Sequence, residues 1–141
     1  MIETHPFGNS VPLNAKYLIL GSFTGRQAVK GTPFTDDSYD WFYGTKRNQF
    51  WPILEAVYGV ELKSKITRQA LFARLGIAIA DIIYQCEREE GNNLDKNLIN
   101  IVYNSKAIRG ILEENPIKKI FFTSRYVENR FKHAINNIIN H

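Results

Sequence analysis

A glycine-bracketed turn, Gly21-Ser22-Phe23-Thr24-Gly25, is the first place where this sequence could do chemistry. Glycines there let backbone N–H groups come close to a ligand. The turn is not a phosphate loop, because no GxxxxGK(S/T) pattern follows, and it lacks the GxGxxG spacing of a dinucleotide fingerprint. A plain strand-to-loop turn explains the same residues. The second place is Tyr43-Gly44-Thr45-Lys46-Arg47-Asn48-Gln49-Phe50-Trp51, which groups aromatic and basic side chains with an amide around a helix start. Asn48 suits a ligand, but it also suits an N-cap that accepts a hydrogen bond from a first-turn N–H. Phe50 and Trp51 could equally be core. The third place is Asp81, set inside an apolar run. A carboxyl group there is costly unless it is hydrogen-bonded. It either caps the N–H groups of a neighbouring loop or serves as a water-activating base.

Other chemistries are excluded. The chain has one cysteine, Cys86, so it forms no internal disulfide and no zinc site built on CxxC pairs. Three scattered histidines make no ligand set; His5 and His133 read as surface residues. No metal and no cofactor is expected. Cysteine usage favours a reducing, cytoplasmic setting. No run approaches ~20 apolar residues, so no transmembrane helix is expected. The N-terminus lacks the basic flank and apolar run of a signal peptide.

The chain has 141 residues, 44% of them hydrophobic and 23% charged, which fits a single folded domain over 1–141. Eighteen basic residues against fourteen acidic give a net charge of +4. Residues 1–115 balance, so the whole excess falls in residues 116–141: Lys118, Lys119, Arg125, Arg130 and Lys132 against Glu128 alone. A localised basic patch suits a polyanionic partner such as nucleic acid. A solvated helix face with surplus lysines would look the same.

Elements must position these groups. Tyr17-Leu18-Ile19-Leu20 is a short continuous apolar run ending at Gly21, the pattern of a strand buried on both faces. Residues 21–48 hold glycines, Pro33 and four polar residues between 36 and 40. Loops of that length are usually functional. Helical spacing of Phe50, Ile53, Leu54, Val57 and Tyr58 predicts a helix over about 49–59, with Gly59 as its stop. A second helix is expected over 67–75, starting at Thr67. Residues 77–84 read as one buried strand, 85–97 as a loop or lid, 104–114 as a helix and 117–123 as a third strand. A basic helix is expected over 125–139. Strands alternating with helices predict a three-layer α/β/α domain with a small, mostly parallel sheet. Ligands bind such sheets at the carboxyl ends of the strands. Here those ends are Gly21-Ser22-Phe23, Asp81 through Tyr84, and Phe122-Thr123-Ser124.

Taken together, Gly21-Ser22-Phe23-Thr24-Gly25, Trp41-Phe42-Tyr43-Gly44 and Arg47-Asn48-Gln49-Phe50-Trp51-Pro52-Ile53-Leu54 resemble the uracil-DNA glycosylase superfamily. The match is nearest to its hypoxanthine-DNA (deoxyinosine) glycosylase branch, related to the mismatch-specific uracil glycosylases. Gly76 through Ile83 and Ile120-Phe121-Phe122-Thr123-Ser124 resemble the second- and third-strand regions of that family. The likeness spans roughly residues 16–132, and the RNQFW segment is its most specific part.

The resemblance implies base excision from DNA: hydrolysis of the N-glycosidic bond of hypoxanthine or uracil after base flipping. It implies Asn48 as the catalytic amide, because the Asn of the mismatch enzymes' first motif falls on Phe23 here. It implies base contacts from Gly21, Ser22 and Phe23, stacking by Phe23, Phe34 or Tyr43, hydroxyl contacts from Thr123 and Ser124, and phosphate contacts from Lys46, Arg47 and Arg125. The partner would be damaged duplex DNA, or single strands. The superfamily ends with a fourth strand and a loop of the type H/L-P-S-P-S-P. Nothing within 125–141 resembles that loop, so the last strand is expected to be lacking, which would leave a sheet edge able to pair with another chain. Two other classes remain open. One is a non-catalytic nucleic-acid-binding module on the same fold. The other is an α/β enzyme acting on a small molecule.

Overall fold

A computed structural model describes residues 2–5, 8–23, 41–43, 49–88 and 98–135. Its elements run β1 (Ile2–Thr4), β2 (Tyr17–Gly21), α1 (Phe50–Tyr58), α2 (Lys65–Leu75), β3 (Ile77–Asp81), β4 (Ile83–Arg88), β5 (Leu98–Tyr103), α3 (Ser105–Glu114), β6 (Lys119–Phe122) and α4 (Arg125–Arg130). A π-helical turn, Phe131–Ile135, continues α4.

The strands form two three-stranded sheets. One is parallel, in the order β3-β2-β6. Its register sets Tyr17 beside Ile77 and Lys119, and Gly21 beside Asp81. Period-2 alternation sorts the side chains of this sheet to two faces. Leu18, Leu20, Ala78 and Ala80 join Ile108, Ile111, Val127 and Phe131, so α3 and α4 cover one face. Ile19, Ile77 and Ile79 join Trp51, Leu71 and Phe72, so α1 and α2 cover the other. The expected three-layer α/β/α arrangement is what the chain adopts, with β2 and β3 as doubly covered apolar runs and β6, whose Lys119 and Phe121 are exposed, covered on one face.

The second sheet is antiparallel, in the order β1-β4-β5. It corrects three expectations. The run 77–84 is not one strand: it bends at Ile82, whose N–H donates to the Gly21 carbonyl at 2.9 Å, and β4 then pairs with β1 and β5. Residues 85–88, expected in a loop, belong to β4. β5 was not anticipated, because Leu98-Ile99-Asn100-Ile101-Val102-Tyr103 lies between polar stretches with no turn signal of its own.

Local chemistry fixes the helix ends. The N-cap of α1 falls on Gln49, one residue after Asn48, and Gly59 closes the helix with φ 64°. Pro52 is tolerated because it lies in the first turn. α2 starts two residues before Thr67. Ser64 accepts a hydrogen bond from the Thr67 N–H at 3.2 Å, and the Thr67 hydroxyl accepts one from the Ser64 N–H at 3.2 Å. This reciprocal pair satisfies two otherwise orphaned donors. Arg68 ties the two helices together. Its Nε donates to the Leu62 carbonyl at 2.9 Å, and its guanidinium lies 5.2 Å from the centre of a Trp51 ring. Glu55 accepts from the Leu62 N–H at 2.7 Å and from Lys63 Nζ at 3.0 Å.

Two stability predictions follow from these ends. Ser64→Ala should lower unfolding free energy by about 1 kcal/mol, read as a shifted urea midpoint at unchanged slope. The Leu62 N–H, then Lys63, hold the Glu55 carboxyl below the usual range. A depressed carboxyl stabilises the fold above its unfolded pKa and loses that contribution as pH falls through the folded value. Stability should therefore decline below about pH 4.3 in part through Glu55, and Glu55→Gln should flatten that part of the profile. An unchanged acid limb in Glu55→Gln would remove Glu55 from the account.

Candidate functional site

The carboxyl ends of β2 and β3 meet at Gly21 and Asp81, neighbours in the register. Gly21 is needed here for space. A Cβ on it would lie 2.2 Å from the Tyr43 hydroxyl oxygen and 2.5 Å from Asp81 Oδ1. Real contacts are never that close, so the missing side chain is what lets these two polar atoms converge over the strand end. Asp81 is buried, at 1% exposure, and its Oδ2 shares a hydrogen bond with His5 Nε2 at 2.6 Å. Its main-chain carbonyl accepts from Asn104 Nδ2 at 3.1 Å. A carboxyl group in an apolar strand needs such a partner, and His5, just after the N-terminal strand, supplies one, while Asn104 at the end of β5 holds the main chain.

Aromatic side chains enclose this point. The His5 ring meets Phe23 edge-on, with centres 6.0 Å apart, and lies tilted against Phe42 at 5.3 Å. Tyr43 follows Phe42, and its ring centre is 4.6 Å from Phe50. Tyr43 has φ 57°, a left-handed conformation uncommon for a bulky residue. The segment 41–43 is held firmly. Trp51 Nε1 donates to the Phe42 carbonyl at 2.7 Å, and Trp41 stacks on Trp51 at 5.8 Å. The core reading of the RNQFW aromatics holds for both rings, since Phe50 also packs on Trp51 and Phe72, with centres 4.8 and 6.4 Å away. Trp51 is core, at 2% exposure, while Phe50 is half-buried against Tyr43.

The expected site residues fall as follows. Gly21, Ser22, Phe23 and Tyr43 gather at the end of the parallel sheet. Ser22 is half-buried, and its carbonyl accepts from the Ile83 N–H at 3.1 Å. Thr123 and Ser124 follow β6 at the same end, because Phe122 is level with Leu20. Both are exposed; the Ser124 hydroxyl accepts from the Val127 N–H at 3.3 Å and so caps α4. Arg125 is exposed beside them. Lys119 pairs with Tyr17, at the opposite end of the sheet, on the order of 10 Å from Gly21 at 3.3 Å per residue. Phe34, Lys46, Arg47 and Asn48 lie outside the described residues.

His5 departs from expectation. It is not a surface residue: its side chain is 5% exposed, drawn inward by the Asp81 carboxyl. Asp81 itself pointed to a missing partner, since a buried carboxyl requires one. Nothing in the sequence said that residue 5 would supply it, because β1 is only three residues long. Asn104 was also missed, having been absorbed into a helix start. Among the described residues no group of three His, Cys, Asp or Glu side chains could hold a metal ion. No helix of the described residues is long and apolar enough to cross a membrane.

No family model matches the sequence, and no curated protein does. The fold, however, is similar to a solved one. A solution NMR structure of a proposed uracil DNA glycosylase from Methanosarcina acetivorans superimposes with a TM-score of 0.69 at 20% identity, over 98% of this chain and 79% of that one. The architecture is thus a uracil-DNA-glycosylase-like α/β fold, with a small parallel sheet between helices.

The close approach at Gly21 gives a direct prediction. Gly21→Ala should displace Tyr43 or Asp81 and cost about 1–3 kcal/mol, the usual penalty for overpacking. Thermal unfolding checks it; a melting temperature equal to that of the parent would mean that the strand end is not tightly filled.

Proposed function

We propose that this protein is a DNA glycosylase that removes a deaminated base, hypoxanthine or uracil, by hydrolysing its N-glycosidic bond. The supporting observation is the strand end at Gly21, where the absent side chain lets Tyr43 close over Asp81 beside the His5 and Phe23 rings, in a fold similar to that of a proposed uracil DNA glycosylase. A glycosylase cannot reach its target bond inside the stack, so it flips the nucleotide out. The flipped base then needs an aromatic surface and backbone close enough to read its edge. Stacking of this kind contributes about 1–3 kcal/mol per base.

In this reading the bond between C1′ and the base nitrogen breaks, the base leaves with the electron pair, and water adds its hydroxyl to C1′ while the proton it releases ends on the departed base. Water is the only nucleophile, so the enzyme is monofunctional. Donors arranged where charge develops supply most of the acceleration. Asn48 is the amide that orients the water or holds the base. Backbone of Gly21, Ser22 and Phe23 meets the base carbonyl, and Phe23, Phe34 or Tyr43 stacks on the ring. Thr123 and Ser124 offer hydroxyls to the Watson–Crick edge. Lys46, Arg47 and Arg125 hold phosphates beside the lesion, and a cytoplasmic setting suits the lone buried Cys86. The hypoxanthine branch is favoured over the mismatch branch because Phe23 stands where the latter carries its catalytic Asn.

The test uses duplex oligonucleotides with a single hypoxanthine or uracil, followed by alkali. Strand cleavage is expected with the parent protein, and Asn48→Ala should slow base release by about 100-fold or more. An intact strand at enzyme excess would overturn the reading. Equal cleavage by Asn48→Ala would remove Asn48 from its role.

A further inference from the structure

His5 is a buried titratable side chain that the reading above leaves unused. It bridges two parts of the core that the parallel sheet otherwise separates. Phe23 packs with the cluster on the α3 and α4 side, whereas Phe42 belongs to the cluster on the α1 and α2 side. The imidazole touches both rings across the strand end where Gly21 has no side chain. Its plane is not free. Rotation of a ring about its second side-chain torsion is soft, but the 2.6 Å bond from Nε2 to Asp81 Oδ2 selects one orientation. Asp81 is in turn held by the β3 register with Gly21 and by Asn104 at its carbonyl.

We propose that His5, oriented by Asp81, is a positioning residue that sets the Phe23 wall of the base pocket and so governs base release rather than DNA binding. This rests on the glycosylase reading, and it deepens it by assigning the N-terminal strand a part in the site. The chain of contact runs from the Asp81 carboxyl to the imidazole plane, and from that plane to the Phe23 edge. Small errors at a stacking wall matter, because displacing a reacting group by about 1 Å can cost about 100-fold in rate. Phosphate contacts made elsewhere would be untouched.

The experiment is a double-mutant cycle on the full chain with His5→Phe, Asp81→Leu and the pair together, plus Asp81→Asn. Replacing both partners by apolar groups of similar shape removes the His5–Asp81 hydrogen bond from both sides at once, so the double variant is expected to fold better than either single one. Single-turnover base release should fall about 10- to 100-fold in the double variant. Affinity for uncleavable duplex should stay within about twofold of the parent, since phosphate contacts dominate it. Each single variant should fall as far as the double, because the pair acts as one unit. Asp81→Asn keeps a hydrogen-bonding partner for Nε2 and should retain most of the rate. Base release at the parental rate in the folded double variant would overturn the proposal, as would a parallel loss of release and DNA affinity. A parent protein that releases no base would instead overturn the glycosylase reading. The positioning claim is then decided by NMR: Phe23 ring signals should shift and broaden in the double variant, and unchanged signals would refute it.

Discussion

The structure turns on one exclusion of volume: nothing larger than hydrogen fits on Gly21. Because that strand end carries no side chain, a tyrosine hydroxyl and a carboxyl oxygen occupy the space where a Cβ would be. A buried carboxyl so placed has to be hydrogen-bonded. His5 supplies the partner, and with it β1 is drawn against β4. The antiparallel sheet, the N-terminal strand and the aromatic enclosure are thus linked through Asp81. The bend at Ile82 belongs to the same arrangement. Its N–H takes the Gly21 carbonyl, which ends the parallel pairing and turns the chain into β4.

The parallel sheet and its flanking helices were legible in the sequence because burial on both faces leaves continuous apolar runs at 17–21 and 77–80, and because Ile120-Phe121-Phe122 is apolar although one face of that strand is exposed. The antiparallel sheet was not, for a physical reason. Ile83-Tyr84-Gln85-Cys86-Glu87-Arg88 mixes polar and apolar residues around two register irregularities, so its period is blurred. Its identity as a strand lies in its partners, β5 next along the chain and β1 more than 80 residues before it. Helix α2 shows the opposite case. Its start was readable from Ser64-Lys65-Ile66-Thr67, but the Ser/Thr form of the reciprocal cap is less conspicuous than one ending in Glu.

The candidate site was legible in its glycines and aromatics and illegible in its histidine. Gly21 announces itself by ending an apolar run, and Asp81 by interrupting one. Residue type alone cannot place His5, since an N-terminal histidine beside proline suits a surface as well as an interior. The aromatic segment 49–51 was ambiguous between core and site because its core rings brace the residues of the site: Trp51 anchors the 41–43 turn through the Phe42 carbonyl, and Phe50 supports Tyr43. Core and site are therefore continuous here. The stacked Trp41 and Trp51 rings fix the backbone that presents Tyr43, and aromatic pairs of this kind contribute about 0.5–1.5 kcal/mol each beyond area burial.

The basic excess at the end of the chain does not act as one patch. β6 runs parallel to β2, so Lys118 and Lys119, at its start, lie at the end away from Gly21, while Arg125 follows it at the Gly21 end. Lys132 pairs with Glu128 at 3.2 Å, which lowers its weight in any surface field. Arg130 leans over the Tyr126 ring and reaches the Tyr103 hydroxyl at 3.4 Å, a packing role for part of the guanidinium. Composition counts these charges as equal, but topology does not. Of the excess cations, Arg125 is exposed just after β6, at the Gly21 end of the sheet. At a net charge of +4, placement therefore decides more than the total.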